Sequence, residues 1–302
     1  MNKRLNGLIA ATFSPMNQDG TLRLDRVPSM VDFLHQQGIA GLYVVGSTGE
    51  GVSLTGEERR AAAEAFVQAA GGRMPVIVQA GHNSLFEARQ LAAHAQQIGA
   101  TAISATPPSY FKPDNAETLA ACMAEIAAGA PDTPFYYYHV PHMTGVGISM
   151  VDFLHAAADR MPTLAGIKYT APTMQELMGC IGAFDGRYEI LHGVDEMLLA
   201  GLAMGATGAV GSTYNYAAPI YRHILDAVAQ GNLDDARLWQ RRSCEMVRVI
   251  LKYRSMASQK AVMTMIGHDC GPPRLPVPPL TKQEYDDLHC ALTSIGFFDW
   301  IM

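Results

Sequence analysis

The amino-acid sequence predicts a fold of the α/β class, a (β/α)8 or TIM barrel with a C-terminal helical extension. Eight short runs rich in apolar and β-branched residues recur along the chain, and segments with helical spacing of apolar residues separate them. The runs are too apolar to have a solvated face, as is typical of parallel strands covered by helices. Eight such units with no sign of a switch point favour closure into a barrel over an open, doubly wound sheet.

The eight strands are predicted from these runs in chain order. They cover residues 7–15, 41–47, 75–81, 101–107, 134–140, 164–170, 188–194 and 208–214.

Helix starts and ends are predicted from capping signals between the strands. A Ser or Thr followed three residues later by Glu can satisfy two free amides at a helix start. Glycines at the ends of the helical segments can take the left-handed conformation that stops a helix. The capping pairs are Thr55 with Glu58, Ser84 with Glu87 and Thr173 with Glu176, and the stop glycines are Gly38, Gly99 and Gly205.

Two structural units are predicted, a barrel core over residues 1–216 and a helical unit over 217–302. Only helical periodicity remains after the eighth strand, so residues 217–302 should hold the eighth barrel helix and an extension packed on the barrel. The proline-rich stretch 271–279 reads as a rigid spacer between helices. Thr281 and Glu284 form a further capping pair ahead of one last helix.

Composition excludes several classes of function. Of the 302 residues 49% are hydrophobic, and the net charge of −6 provides no basic footprint for nucleic acid. No apolar run reaches the length of a membrane span, and the first residues lack the apolar core of a signal peptide, so a cytoplasmic location is expected.

Motifs for cofactors and metals are missing from the sequence. The five cysteines are scattered without a CxxC spacing, so neither a disulfide framework nor a zinc site is predicted. Residues 46–51 have the wrong glycine spacing for a dinucleotide fingerprint, and no P-loop is present. No cofactor and no metal are therefore expected.

Lys168 lies near the end of the sixth predicted strand, in an otherwise apolar stretch. A lysine is rarely buried without a purpose. A dry environment disfavours the ammonium and makes the neutral amine available as a nucleophile toward carbonyls. The alternative is a lysine that reaches solvent from the end of the strand.

Other polar residues follow the predicted strands at the end where barrel enzymes place their active sites. The glycine-flanked turn at Ser47 and Thr48 could bind a carboxylate through backbone amides and hydroxyls, or could be only a tight turn. Tyr138 could relay protons near a neutral lysine. Asp195 and Glu196 could simply be acids at a helix start. Together these residues favour a cofactor-independent class I lyase or aldolase that acts on a keto acid.

Three motifs carry a resemblance to a known family. Residues 46–50 read GSTGE, 138–145 read YHVPHMTG and 166–168 read GIK, in this order and each at a predicted strand end. The chain resembles, along its full length, the superfamily of class I pyruvate aldolases that contains dihydrodipicolinate synthase and N-acetylneuraminate lyase. Further stretches favour the lyase branch, namely 135–139, 193–196, 204–216 and 271–276.

The resemblance implies a role for each matching residue. Lys168 would form a Schiff base with the substrate ketone, and Tyr138 would move the proton of the C4 hydroxyl. Ser47 and Thr48 would bind the carboxylate, with Ser47 hydrogen-bonded to the tyrosine relay. Tyr110, a looser match, would reach across a subunit interface to complete that relay. The hydroxyl-rich tail of a sugar acid would be bound by Thr170, Gly193, Asp195, Glu196 and Ser212.

Met143 stands where the synthase branch has an arginine that binds a second carboxylate. The resemblance therefore implies reversible cleavage of N-acetylneuraminate to N-acetylmannosamine and pyruvate, in a homotetramer without a cofactor. Two alternatives stay open. One is another pyruvate-dependent aldolase acting on a deoxy sugar acid, and the other is a non-catalytic keto-acid-binding protein.

Overall fold

A computed structural model describes residues 5–302 and has a closed barrel of eight parallel strands in the order β1 to β8. The prediction of a (β/α)8 barrel is confirmed. Each strand ends before its predicted C-terminal boundary, because the polar residues at these ends belong to the loops above the barrel. The strands are β1 Gly7–Ala11, β2 Gly41–Val44, β3 Val76–Gln79, β4 Ala102–Ala105, β5 Phe135–His139, β6 Leu164–Tyr169, β7 Glu189–His192 and β8 Gly208–Gly211.

Helices alternate with the strands and continue beyond β8. They are α1 Val27–Gln36, α2 Gly56–Ala70, α3 Leu85–Gln97, α4 Ala116–Ala127, α5 Pro141–Thr144, α6 Met150–Ala157, α7 Met174–Gly182, α8 Leu198–Ala203, α9 Tyr214–Ala229, α10 Leu233–Ile250, α11 Ser255–Met265, α12 Lys282–Ser294 and α13 Phe297–Trp300. Short 3-10 turns cover Leu24–Arg26, Gly51–Ser53, Ala183–Gly186 and Asp195–Met197.

The sheet closes where β1 pairs with β8, with Gly7 opposite Gly208. Successive side chains of each strand point to opposite faces, so the strands divide the core into two layers. Ile9, Tyr43 and Leu191 belong to the cluster inside the barrel, whereas the larger cluster lies between the strands and the helices. The cavity described below therefore rests on a filled barrel rather than on a pore.

Most predicted helix boundaries are confirmed. The three stop glycines have positive φ angles of +75, +79 and +103° at Gly38, Gly99 and Gly205. Full capping boxes form at Thr55 with Glu58 and at Thr281 with Glu284, and Ser84 accepts the amide of Glu87.

The predicted cap at Thr173 is wrong. Its side chain makes no capping hydrogen bond at the start of α7. Glu176 instead accepts hydrogen bonds from the Met150 amide at 2.8 Å and the Tyr169 hydroxyl at 2.7 Å. The carboxylate that would have completed the box is thus used to join α6, β6 and α7.

The helix after β8 begins at Tyr214, slightly ahead of the predicted boundary at residue 217. Helix α10 packs along α9, and α12 packs against α10 and α11. The extension therefore lies on the barrel rather than apart from it. Within residues 5–302, no helix has both the length and the apolar character that crossing a membrane requires.

Candidate active site

The carboxyl ends of the strands surround a cavity of about 620 Å³. This size suits a small-molecule ligand. Nine of the ten predicted site residues line the cavity, namely Ser47, Thr48, Tyr138, Lys168, Thr170, Gly193, Asp195, Glu196 and Ser212. The tenth, Tyr110, does not.

Lys168 is enclosed by aromatic rings at the base of this cavity. It pairs with Tyr138 across β5 and β6, and only 4% of its surface is exposed. Its Nζ lies 3.8 Å from the ring centroid of Tyr138 and 4.0 Å from that of Tyr43. A lysine that snorkels from a strand end would extend its side chain to solvent. The Lys168 side chain does not. Its amine is instead held at the cavity, where a carbonyl group could reach it.

Tyr138 and Ser47 come together although they lie on β5 and after β2. The two hydroxyl oxygens are 3.4 Å apart, and either group can be the donor. The ring of Tyr43 meets that of Tyr138 edge to face, with centroids 5.6 Å apart. A lysine amine and two hydroxyls that can exchange a proton thus share one end of the cavity.

The turn that carries Ser47 and Thr48 is fixed by backbone hydrogen bonds. The Glu50 amide donates to the Ser47 carbonyl at 3.0 Å, and the Gly51 amide donates to the Gly46 carbonyl at 3.0 Å. A Cβ at Gly46 would lie 2.6 Å from the Tyr43 ring, so the backbone approaches the ring more closely than another residue allows. The turn is therefore shaped around the tyrosine that also contacts Lys168.

Asp195 is a buried residue in the wall of the cavity. Its Oδ2 accepts hydrogen bonds from the amide of Thr213 at 2.9 Å and from its hydroxyl at 2.6 Å. Burial raises the pKa of Asp195 to about 6, although both hydrogen bonds act in the opposite direction. The Tyr221 hydroxyl lies 2.6 Å from the Thr213 hydroxyl and accepts a hydrogen bond from Ser243 at 2.9 Å. Asp195 thus anchors the loop after β8 as well as lining the cavity.

Thr170 and Gly193 form a close contact at the ends of β6 and β7. A Cβ on Gly193 would overlap the Thr170 Oγ1, so a glycine is required there. Among residues 5–302 the buried Thr170 hydroxyl has no hydrogen-bond partner. It is therefore available to a ligand in the cavity.

Tyr110 is 80% exposed and lies outside the cavity of its own chain. Its amide donates to Asn83 Oδ1 at 3.2 Å, which ties the loop after β4 to the loop after β3. Its ring contacts that of Phe111, which is also exposed. The structure of one chain therefore does not bring Tyr110 to Lys168, and its role remains a prediction about an interface.

Two buried histidines near the site, His139 and His192, contact other groups of the protein. Burial lowers the pKa of His139 to about 4, and its ring stacks on that of Tyr169 at 5.0 Å between centroids. Burial also lowers the pKa of His192, whose Nε2 is 2.9 Å from the Val194 carbonyl. In the part of the chain that the structure describes, no group of three or more His, Cys, Asp or Glu could hold a metal.

Sequence reasoning missed part of the site. Tyr43 was not among the predicted site residues, because a tyrosine inside a strand usually belongs to the core. The C-terminal extension also lines the cavity, with Val247, Ile250, Leu251, Ser255, Met256, Gln259 and Val277. No local signal marks these residues, because only the packing of α10 and α11 over the barrel brings them there.

Comparisons with known proteins identify a family and similar chains. The model of the dihydrodipicolinate synthetase family matches residues 4–295. The chain is 39% identical to the N-acetylneuraminate lyase of Mus musculus over 98% of this chain and 94% of that protein. It is 41% identical to the one of Gallus gallus over 98% of each chain. The structure of the Proteus mirabilis N-acetylneuraminate lyase superposes with a TM-score of 0.95 at 37% identity, covering 98% of this chain and 100% of that one.

Proposed function

Because the chain belongs to the dihydrodipicolinate synthetase family, we propose that it is a class I aldolase that cleaves N-acetylneuraminate reversibly to N-acetylmannosamine and pyruvate. The observation that carries the proposal is the enclosed Lys168 amine beside the Ser47–Tyr138 contact. The names of the similar proteins supply the substrate.

The reaction begins when the Lys168 amine attacks C2 of the open-chain keto acid. Loss of water gives an iminium, which can accept the electrons of the C3–C4 bond. Tyr138 accepts the proton of the C4 hydroxyl and passes its own hydroxyl proton to the bound carboxylate as that bond breaks, and N-acetylmannosamine leaves as the aldehyde. The remaining enamine gains a proton at C3, and water then hydrolyses the imine to pyruvate and the free amine.

The surrounding groups bind the two ends of the substrate. The amides and hydroxyls at Ser47 and Thr48 would hold the carboxylate, next to the carbon that Lys168 attacks. Thr170, Gly193, Asp195, Glu196 and Ser212 would contact the polyol tail. The Thr170 hydroxyl has no hydrogen-bond partner among residues 5–302, and Asp195 and Glu196 can accept hydrogen bonds from sugar hydroxyls.

Met143 lines the cavity and offers no cation to a second carboxylate. Asp195 and Glu196 would repel such a group. These contacts favour a substrate with one carboxylate and a neutral polyol tail over a dicarboxylic one.

We further propose that the protein works in the cytoplasm as a homotetramer in which Tyr110 completes the site of a neighbouring copy. The exposure of Tyr110 and Phe111 at the rim of the barrel supports this assembly. The cysteines that the structure describes are all free, as is usual for a reducing compartment.

The test combines a substrate panel with chemical trapping. Purified protein is assayed with N-acetylneuraminate and several deoxy sugar acids, and is reduced with borohydride in the presence of pyruvate. We expect release of pyruvate from N-acetylneuraminate and a reduced pyruvate adduct on Lys168 by peptide mass spectrometry. Turnover of a deoxy sugar acid but not of N-acetylneuraminate would show that the proposed substrate is wrong and that the protein is an aldolase for that sugar acid. An unmodified Lys168 without turnover would indicate a keto-acid-binding protein.

A further inference from the structure

A buried ion pair joins the Ser47–Thr48 turn to the C-terminal extension. Lys260 on α11 places its Nζ 2.6 Å from Glu50 Oε1. Only 2% of the lysine side chain and 6% of the glutamate side chain are exposed. Neither residue lines the cavity, so the pair lies behind the turn rather than in contact with a ligand.

Both charged groups have further hydrogen bonds. Lys260 Nζ donates to the Ser14 carbonyl at 3.1 Å and to the Pro272 carbonyl at 2.9 Å. The second oxygen of Glu50 accepts the amide of Arg274 at 2.7 Å. The pair therefore connects the loop after β1, the turn after β2, helix α11 and the proline-rich connector.

The backbone at Glu50 needs such support. Its φ angle of 54° is left-handed, a conformation that a residue with a side chain rarely adopts. Its amide donates to the Ser47 carbonyl, so a displacement of Glu50 would move the groups proposed to bind the carboxylate. A buried ion pair adds little net stability compared with well-packed apolar residues. Its contribution here is therefore the placement of the turn.

We propose that Glu50 and Lys260 are positioning residues that hold the Ser47–Thr48 turn in the shape that binds the keto-acid carboxylate. This inference rests on the proposed function, because it assigns the turn to the carboxylate. It also makes the extension part of the binding site, since α11 supplies Ser255, Met256 and Gln259 to the cavity wall.

The test compares variants of this pair with a matched control. The variants are E50Q, K260M and the double variant E50Q/K260M, and the control is K282M, which removes the exposed Lys282–Asp286 pair of α12. The double variant leaves no buried charge without a partner, so it provides a folded protein if a single variant does not fold. Thermal unfolding establishes which variants are folded.

The measurement is the borohydride-trapped adduct on Lys168 with pyruvate and, separately, with acetone, a ketone without a carboxylate. In the folded variants of the pair, we expect the pyruvate concentration for half-maximal trapping to rise by about tenfold or more. A rise of this size corresponds to loss of one charge-assisted hydrogen bond between the turn and the pyruvate carboxylate. Trapping of acetone by the same folded variants should equal that of the wild-type protein. The K282M variant should match the wild-type protein with both ketones.

Two results would overturn the inference. One is an unchanged half-maximal pyruvate concentration in the folded variants. The other is an equal loss of pyruvate and acetone trapping, which would show a general effect on the lysine rather than on the carboxylate site. A wild-type protein that traps neither ketone would instead refute the Schiff-base function, and the inference with it.

Discussion

The chemistry proposed for Lys168 depends on a few atoms around one amine. Two tyrosine rings enclose Nζ, and they differ in what their hydroxyls do. The Tyr43 hydroxyl is 3.1 Å from Ser104 Oγ, deep in the barrel, whereas the Tyr138 hydroxyl faces Ser47. Only Tyr138 can therefore exchange a proton with a substrate in the cavity. The sequence predicted the three residues Lys168, Tyr138 and Ser47 from their positions at strand ends, but not the ring of Tyr43 beneath them.

Replacing Tyr138 by phenylalanine separates the ring from the hydroxyl. The ring that contacts Lys168 remains, so trapping of pyruvate on Lys168 should persist. We expect kcat for N-acetylneuraminate cleavage to fall by about a hundredfold or more, which is the usual contribution of a proton-transfer group. Steady-state kinetics measure kcat, and borohydride trapping measures the formation of the pyruvate adduct on Lys168.

The matched control is Tyr137→Phe in the neighbouring position of β5. The Tyr137 hydroxyl has no hydrogen-bond partner in the described part of the chain and lies on the helix side of the strand. The kcat of the Tyr137→Phe variant should stay close to that of the wild-type protein. Equal losses in the two variants would show that the effect comes from the packing of β5, not from proton transfer.

The stability of the protein should depend on the protonation of Asp195. Burial raises its pKa from 3.8 to about 6, so the folded protein holds this proton at a pH where the unfolded chain has lost it. The free energy of unfolding should therefore decrease as pH rises from about 4 to 6, by on the order of 3 kcal/mol from this residue.

Urea denaturation of the wild-type protein and of Asp195→Asn across this pH range isolates the contribution. Other carboxylates titrate in both proteins and cancel in the difference between them. The difference in unfolding free energy between the two proteins should change between pH 4 and 6 and be constant above that range. A difference that is independent of pH would mean that Asp195 does not have the raised pKa.

Strand β8 passes close to the side chain of Asp195 at Gly211. A Cβ added to Gly211 would overlap the Asp195 carboxylate and lie 2.7 Å from the Tyr214 ring. We expect Gly211→Ala to lower the free energy of unfolding by about 1–3 kcal/mol, the usual cost of overpacking. The same variant should bind N-acetylneuraminate more weakly, because Asp195 must move.

Gly182→Ala is the control for this substitution. Gly182 ends α7 with ordinary helical angles, and an added Cβ would meet nothing within 4 Å. Its unfolding free energy should equal or slightly exceed that of the wild-type protein. A similar loss of stability in both variants would argue against the overlap at Asp195.

The connector after α11 is attached to the start of α2 by one arginine. Arg274 donates to both carboxylate oxygens of Glu58, at 2.7 and 2.8 Å, while Glu58 also caps Thr55. This hydrogen bonding holds the pKa of Glu58 at about 2, below its usual 4.5. The ion pair thus stabilises the fold above about pH 4.5 and loses its effect as the pH falls toward 2.

Arg274→Met should remove this stabilisation. Near neutral pH the variant should lose on the order of 1–2 kcal/mol of unfolding free energy, a value reduced by the partial exposure of the pair. The difference from the wild-type protein should shrink as the pH falls below 4.5. Chemical denaturation at several pH values measures it, and a constant difference would assign the loss to packing of the arginine alone.

Prediction from sequence succeeded where the signal is local. Apolar runs, caps and stop glycines depend on neighbouring residues, and the eight strands and most of the predicted helix boundaries are confirmed. The cap at Thr173 failed because Glu176 is taken by two distant groups. The Glu50–Lys260 pair could not be predicted, since nothing in either segment identifies its partner until α11 packs on the barrel.

The molecule as a whole has an apolar rim beside the cavity mouth. The loops after β2 and β4 and the first turn of α3 expose large apolar side chains, and Asn83 joins the loop after β3 to the loop after β4. The exposed residues are Val52, Phe86, Tyr110 and Phe111. Such a concentration of exposed apolar side chains is typical of a contact surface. The homotetramer proposed above, in which Tyr110 completes the site of another copy, would bury this surface.

Two variants of this rim separate assembly from chemistry. Phe111→Asp places a charge on the contact surface, so we expect smaller assemblies in sedimentation and a lower specific activity. Tyr110→Phe keeps the apolar ring, so the assembly should persist while kcat falls by about tenfold or more, as expected for the loss of a hydroxyl in a proton relay. Leu233→Asp, at the exposed start of α10, is the control and should change neither.

The wild-type protein provides a further measurement, because a site shared between copies must lose activity when the copies separate. Its specific activity should fall on dilution over the same concentrations at which sedimentation shows dissociation. Tyr110→Phe should follow the same dissociation curve from a lower starting activity. Full activity of a dissociated chain, or of the Tyr110→Phe assembly, would show that each barrel is complete by itself and would remove Tyr110 from the proposed relay.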